Sequence, residues 1–169
     1  ISAALGATPA QAEAYGAAAG ALYSNGFGEN MDDVSTAVDA VVSSMAGMRD
    51  ASAKDIEAIT GHAMNLAGAF DVDVAEAATA AGSLMKNGLA KDATGAFDLI
   101  TGAMQQIPQS LRGEVLPVMD EYGKHFAALG IDGETAMGMI VAASADGAIG
   151  MDKMGDALKE FTIRATDMS

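Results

Sequence analysis

An all-α array of short antiparallel helical hairpins, with no β-sheet, is what this chain encodes, and three features say so. Apolar residues recur at spacings of three and four through every long segment, the period of a half-buried helix. Helix-stopping Gly and Asn residues alternate with Asn, Asp, Ser and Thr residues suited to starting the next helix. The third feature is repetition. Gly20-Ala21-Leu22-Tyr23-Ser24-Asn25-Gly26-Phe27-Gly28-Glu29-Asn30 is restated 62 residues later as Gly82-Ser83-Leu84-Met85-Lys86-Asn87-Gly88-Leu89-Ala90-Lys91-Asp92. Each reads as a helix end, an Asn-Gly stop, an apolar plug and a residue able to cap the following helix.

A blurred third copy follows at about the same shift, since a fixed period marks an array whose units bury their faces on one another. Gly68-Ala69-Phe70-Asp71 is echoed by Leu129-Gly130-Ile131-Asp132. Ala93, Phe97, Ile100, Met104 and Ile107 are echoed by Met154, Leu158, Phe161, Ala165 and Met168, with a slip of register between Asp146 and Gly150. A repeat of roughly 61 residues results. It divides the chain into a first helical hairpin over 1–50, a three-helix repeat over 51–109 and a second three-helix repeat over 110–169; one continuous helical domain is the alternative.

In chain order, Thr8-Pro9-Ala10-Gln11 is a capping box with Pro at the first helical position, and it opens a helix over 9–24. The Gly16-Ala17-Ala18-Ala19-Gly20 segment of that helix serves either a tight helix crossing or an Ala-rich packed face. Asn30 and Asp33 cap a second helix whose stripe is Met31, Val34, Val38, Val41, Met45 and Met48. The β-branched run at 38–42 lies on that stripe, which makes it helical. Ser52-Ala53-Lys54-Asp55 starts a third helix with Ile56, Ile59, Ala63 and Leu66 inward and His62 at the boundary.

A fourth helix is expected over 71–87, opening with the box Asp73-Val74-Ala75-Glu76, and a fifth over 92–107, ended by Pro108. Gly113 and Pro117 punctuate the next stretch, so a short turn is expected there. A sixth helix then runs over 117–129 with Val118, Tyr122, Phe126 and Leu129 inward. The final pair is expected over 132–146 and 152–167, separated by a Gly147-Ala148-Ile149-Gly150 corner. Met151, Met154, Leu158, Phe161, Ala165 and Met168 form a near-heptad seam on the last helix.

Half of the residues are apolar but only 5% are aromatic, so the core is built from small side chains. Burial yields about 25 cal/mol per Å², which makes this core thin and its stability dependent on neighbours. There is no Cys, and the formal charge is −14. That charge opposes binding to nucleic-acid phosphates and to anionic membranes. No basic leader precedes the first helix, and no run of 18 apolar residues is long enough to span a bilayer. Ile1 in place of Met, and a helical pattern still running at Ser169, indicate a piece of a longer chain.

No catalytic, cofactor-binding or metal-binding residues are expected. Nucleophile elbow, Walker loop and H-E-x-x-H motifs are absent from the sequence. Asp71-Val72-Asp73 and the segment from Asp146 to Asp152 have the aspartates of a calcium loop without its D-x-D-x-D-G run or its Glu at the twelfth position. Helix capping accounts for them. Asp32/Asp33 and Asp120/Glu121 read as dipole complements and solvating charge. The twelve Met residues fill the core at helical spacing, or alternatively line an adaptable groove.

The run Leu22-Tyr23-Ser24-Asn25-Gly26-Phe27-Gly28-Glu29-Asn30-Met31, its restatement from Leu84 to Asp92, and the Leu129-Gly130-Ile131 and Gly147-Ala148-Ile149-Gly150 corners resemble the core region of tail tape measure proteins of long-tailed bacteriophages and prophages. The resemblance covers most of the chain. It implies a non-enzymatic virion structural protein stored in the tail lumen, which sets tail length during assembly in the bacterial cytoplasm and takes part in genome ejection. It implies tail tube and tail tip proteins and tail assembly chaperones as partners, and a homo-oligomer in the parent protein. The competing reading is an acidic helical interaction module that takes a partner helix in a Met-rich groove. An enzyme would need a pocket of converging polar groups.

Overall fold

A computed structural model describes residues 5–167, and among them every regular element is helical. The helices are α1 (Pro9–Ser24), α2 (Met31–Ser44), α3 (Ala53–Phe70), α4 (Val74–Lys86), α5 (Ala93–Gln106), α6 (Arg112–Ala128), α7 (Gly133–Ser144) and α8 (Gly147–Asp167). Two 3-10 turns, Met48–Asp50 and Gln109–Leu111, precede α3 and α6. The all-α hairpin architecture is the one the periodicity requires. None of the described helices is long and apolar enough to cross a membrane. The chain divides into two compact units, Ile1–Gly82 and Ser83–Ser169.

In the first unit α1, α2 and α3 pack on one another. Tyr15, Ala18, Ala19 and Leu22 of α1 meet Val34, Val38 and Val42 of α2 and Ile56 of α3 in one buried cluster, with Phe27 and Met64 against its edge. The Thr8 capping box forms as read, Thr8 accepting from the Gln11 N–H and Gln11 from the Thr8 N–H. Tyr15 is fully buried and spends its hydroxyl on the Arg49 carbonyl at 2.7 Å, tying the 3-10 turn to α1. Ala18 and Ala19 are packed, while Cβ atoms added at Gly16 and Gly20 would meet nothing within 4 Å. The Ala-rich packed face is therefore the use of that segment within the first unit.

In the second unit α5 packs on α7, and α6 and α7 both pack on α8. Phe97, Ile100 and Met104 of α5, Val115, Leu116, Met119 and Phe126 of α6, Ile140 of α7 and Leu158 of α8 are buried. Two glycines set the spacing. A Cβ at Gly133 would lie 2.0 Å from the Leu89 carbonyl oxygen, and one at Gly155 would lie 2.3 Å from Cζ of Tyr122.

Four expectations are corrected. The sixth helix starts at Arg112 rather than Pro117, and Pro117 lies inside it. Proline in a helix interior removes one backbone bond and costs about 3 kcal/mol. Here Pro117 faces solvent while Val115, Leu116 and Met119 around it are buried; their burial, at roughly 1.5–3 kcal/mol for a large apolar side chain, outweighs that cost. The last helix starts at Gly147 rather than Asp152, because Gly150 lacks the Cβ that would meet the Ala143 carbonyl oxygen at 2.2 Å, so the corner winds directly into α8. Asp71 ends α3 in the left-handed conformation at φ 54°, and α4 begins only at Val74. The second helix closes at Ser44, with Met48 in the 3-10 turn.

The stripes are otherwise buried as read, except that Met48, Val118 and Leu129 are only half-buried and two further positions depart. Met31 sits in the first turn of α2 and is exposed, and Ile59 is half-buried while Thr60 beside it is buried. On α8 the seam is covered at Met151 and Leu158 and open at Phe161 and Ala165; Met168 lies outside the described residues.

Candidate functional site

Three corners of one construction organise the chain. After α1 the Phe27 N–H reaches back to the Leu22 carbonyl and the Gly26 N–H to the Tyr23 carbonyl. After α4, Leu89 and Gly88 do the same toward Leu84 and Met85, and after α6, Ile131 and Gly130 toward Phe126 and Ala127. This paired closure satisfies carbonyls orphaned at a helix end and needs a left-handed residue. Gly26, Gly88 and Gly130 supply it at φ 88°, 74° and 72°. Asn30, Asp92 and Asp132 then cap α2, α5 and α7 through the N–H groups of Asp33, Gly95 and Thr135.

Several of the acidic residues singled out in the sequence are committed to this backbone work, and the others stand exposed or pair with side chains. Asp73 accepts from the Glu76 N–H at 3.0 Å and caps α4. Asp33 accepts from the Glu29 N–H, and Asp32 stands exposed in the first turn of α2, where the helix dipole favours it. Asp120 accepts from the Ser83 hydroxyl at 2.6 Å. Asp146 and Asp152 are exposed, and Asp152 lies within α8 instead of capping it. Asp132 has its carboxyl held below the usual range by the hydrogen bonds from Thr135. Among the described residues, no group of three His, Asp or Glu side chains is arranged to hold a metal ion.

A cavity of about 560 Å³ lies in the second unit, beside the second corner. Leu89, Ala90 and Leu99 give it apolar walls, and Asp98, Asp132, Glu134 and Lys91 its polar rim. A smaller one of about 250 Å³ lies by the first corner, between Leu22, Phe27, Gly61 and His62. Neither is lined by Met, and a third, of about 220 Å³ between α5 and α7, has Met137 alone of the Met residues in its wall. Met45, Met104, Met119, Met137 and Met151 are buried in the cores instead.

Sequence reasoning missed one cluster, on α6 and α8. Lys159 pairs with Glu121 at 3.0 Å and stands 5.2 Å from the Tyr122 ring centroid. His125 Nδ1 lies 3.2 Å from the Thr162 hydroxyl oxygen. The hydrogen bond to Glu121 pushes the Lys159 ammonium up, and burial, with Lys124 and Lys159 nearby, pushes His125 down. These contacts fasten α8 to α6 over the Gly155 seat. The spacing of Glu121 to His125 and of Lys159 to Thr162 puts each pair on one helix face, but only the fold brings the two faces together.

The arrangement is thus one of corners, seats and helix-to-helix fastenings. A family model described as phage-related minor tail protein matches residues 23–169. The chain belongs to the phage-related minor tail protein family. It is a structural component of a phage tail. Within the same chain, 77 residues are 39% identical to the probable tape measure protein of Streptomyces phage phiC31, which is 45% of this chain and 10% of that protein. The chain thus spans a small part of the length of this curated relative. Both matches bear out the resemblance to tail tape measure proteins drawn from the corners. No solved structure gives a significant match to this minor tail protein.

Proposed function

We propose that this chain is a non-enzymatic segment of a tail tape measure protein, one that sets tail length during assembly and takes part in genome ejection. The observation that carries the reading is the tail-protein family match over residues 23–169, together with the likeness to a phage protein named as a probable tape measure. Three physical features support it. A helix advances about 1.5 Å per residue, so a helical chain can act as a ruler whose reach follows its residue count. A charge of −14 keeps it from gripping the DNA that passes the same way. A core rich in Ala unpacks and repacks at low cost, which suits a protein that changes shape between assembly and ejection.

In this reading the segment lies in the tail lumen, and its partners are the tail tube and tip proteins and the assembly chaperones. It is part of a homo-oligomer in the parent protein, assembled in the bacterial cytoplasm. The test is genetic. Deleting the segment in frame from the parent gene should shorten the tails seen by electron microscopy, by at most roughly 250 Å if the segment runs as one helix, and duplicating it should lengthen them. Tails of unchanged length in both phages would overturn the length-setting role.

A further inference from the structure

The cavities of about 560 and 220 Å³ in the second unit share Asp98, Leu99 and Glu134 in their walls, so they are two hollows of one groove running between α5 and α7. α5 presents Gly95, Leu99 and Gly102 to it, and α7 presents Met137, Gly138 and Val141, each set lying on a single helix face. From Gly95 to Gln106 the groove follows α5 for three turns, about 16 Å. All of its lining falls between residues 89 and 141, inside the second unit.

The groove exists where side chains are missing. A Cβ added at Gly102 or Gly138 would meet nothing within 4 Å, so bare backbone of both helices bounds the smaller hollow. Gly95, seven residues before Gly102, lines the larger one, which sets the two glycines two turns and about 10 Å apart on one face. Ala103 and Met137 are buried, and Leu99 between the hollows is half-buried. The rim is charged where the hollows meet. Asp98 and Glu134 are exposed, line both hollows, and pair with no cation among the described residues. With Asp132 they set three carboxylates against the single ammonium of Lys91. Along its length the groove is therefore apolar, acidic, then apolar again.

We propose that this groove takes a helix of a different, basic protein. Amphipathic helices dock by setting side-chain ridges into such grooves, and residues at i and i+7 of one helix lie on one face about 10 Å apart. That spacing matches Gly95 and Gly102. Two large apolar side chains of the partner enter the two hollows, and an Arg or Lys at i+3 or i+4 between them meets Asp98 and Glu134 at the rim. The partner is basic and is not a second copy, because a chain of formal charge −14 repels its own kind. The inference rests on the groove and not on the length-setting role, and tail length does not test it.

The test uses the 169-residue chain with isotope-labelled Met methyls, and a fluorescent Ala- and Gln-based helical peptide of about 20 residues that carries two Leu two turns apart and one Arg midway. The peptide should bind saturably, and the Met137 methyl resonance should shift while that of Met45 stays in place. Replacing the peptide's Arg by Glu, or combining Asp98→Asn with Glu134→Gln in the chain, should weaken binding about threefold or more and remove most of its salt dependence. Gly102→Leu or Gly138→Leu, each filling a hollow, should weaken it about tenfold or more with helicity unchanged. No binding at millimolar peptide, equal binding by the Arg and Glu peptides, variants that bind like wild type, or a Met137 methyl that does not move would each overturn the proposal. So would a Met137 shift with a gain in mass when the chain alone is concentrated, which would put a second copy in the groove. If one glycine variant loses helicity, the other decides.

Discussion

The carbonyl oxygen of Ser44 occupies the place of a side chain at Gly82, where an added Cβ would lie 2.1 Å from it. Both obstructing atoms, that oxygen and its carbonyl carbon, belong to the backbone at the end of α2 and cannot swing aside. Gly82→Ala should therefore destabilise the chain. Overpacking costs about 1–3 kcal/mol or more, against a gain of about 1 kcal/mol in helix propensity. Gly102→Ala in α5, where an added Cβ meets nothing within 4 Å, should only gain. Thermal melts of the two variants by circular dichroism should move in opposite directions; a Gly82→Ala protein as stable as wild type would show that α4 does not sit this close to α2.

Tyr15 is the largest fully buried side chain in the first unit, and its hydroxyl bonds the Arg49 carbonyl. Tyr15→Phe keeps the ring and leaves that carbonyl without its partner, a loss of about 1–2 kcal/mol. Urea unfolding should show a lower midpoint with an unchanged slope, because the surface exposed on unfolding is the same.

Thr60 on α3 is buried, and its hydroxyl oxygen has no hydrogen-bond partner. Valine has the same branched shape without the polar atom. Thr60→Val should raise stability by about 1 kcal/mol, since a buried hydroxyl without a partner costs free energy that an apolar group does not. A lower melting temperature would mean that the hydroxyl is satisfied in solution.

How far these features were legible follows from what kind of information each needs. Helix capping is local, so Thr8, Asn30, Ser52, Asp73, Asp92 and Asp132 could be read as caps from their neighbours. Asp152 could not, because whether 147–151 forms a loop or a helical turn depends on Gly150 fitting against Ala143. Pro117 misled for the same reason: its local penalty is real, but the burial of Val115, Leu116 and Met119 that overrides it comes from tertiary packing. The cluster of Glu121, Tyr122, His125 and Lys159 was illegible, since its members meet only when α6 and α8 pair.

That pairing also makes stability depend on pH through His125. Burial, helped by Lys124 and Lys159 and opposed by Glu121, holds the folded imidazole below its ordinary value of 6.5. The sign follows from which state takes the proton first. As pH falls through 6.5 the unfolded chain binds a proton that the folded chain still refuses, so unfolding is favoured. Above 6.5 both states are neutral and the residue contributes nothing. Stability should therefore fall as pH drops from about 7.5 toward and below the ordinary histidine value, and continue falling until the folded imidazole also titrates. His125→Gln keeps a polar group within reach of Thr162 and removes the titration. Its urea midpoint should be flatter than that of wild type over the same range, the two converging in shape at higher pH. Parallel curves through that range would place the acid sensitivity elsewhere, and Asp132, lowered by its capping bonds, would be next, whereas Asp39 is raised by burial. Those two act in opposite senses. Asp132 adds stability above its ordinary value that is lost as pH falls through its lowered one. Asp39 withdraws stability as pH rises through its raised one. Only histidine titration thus predicts loss that begins near neutrality and is abolished by a single substitution at 125.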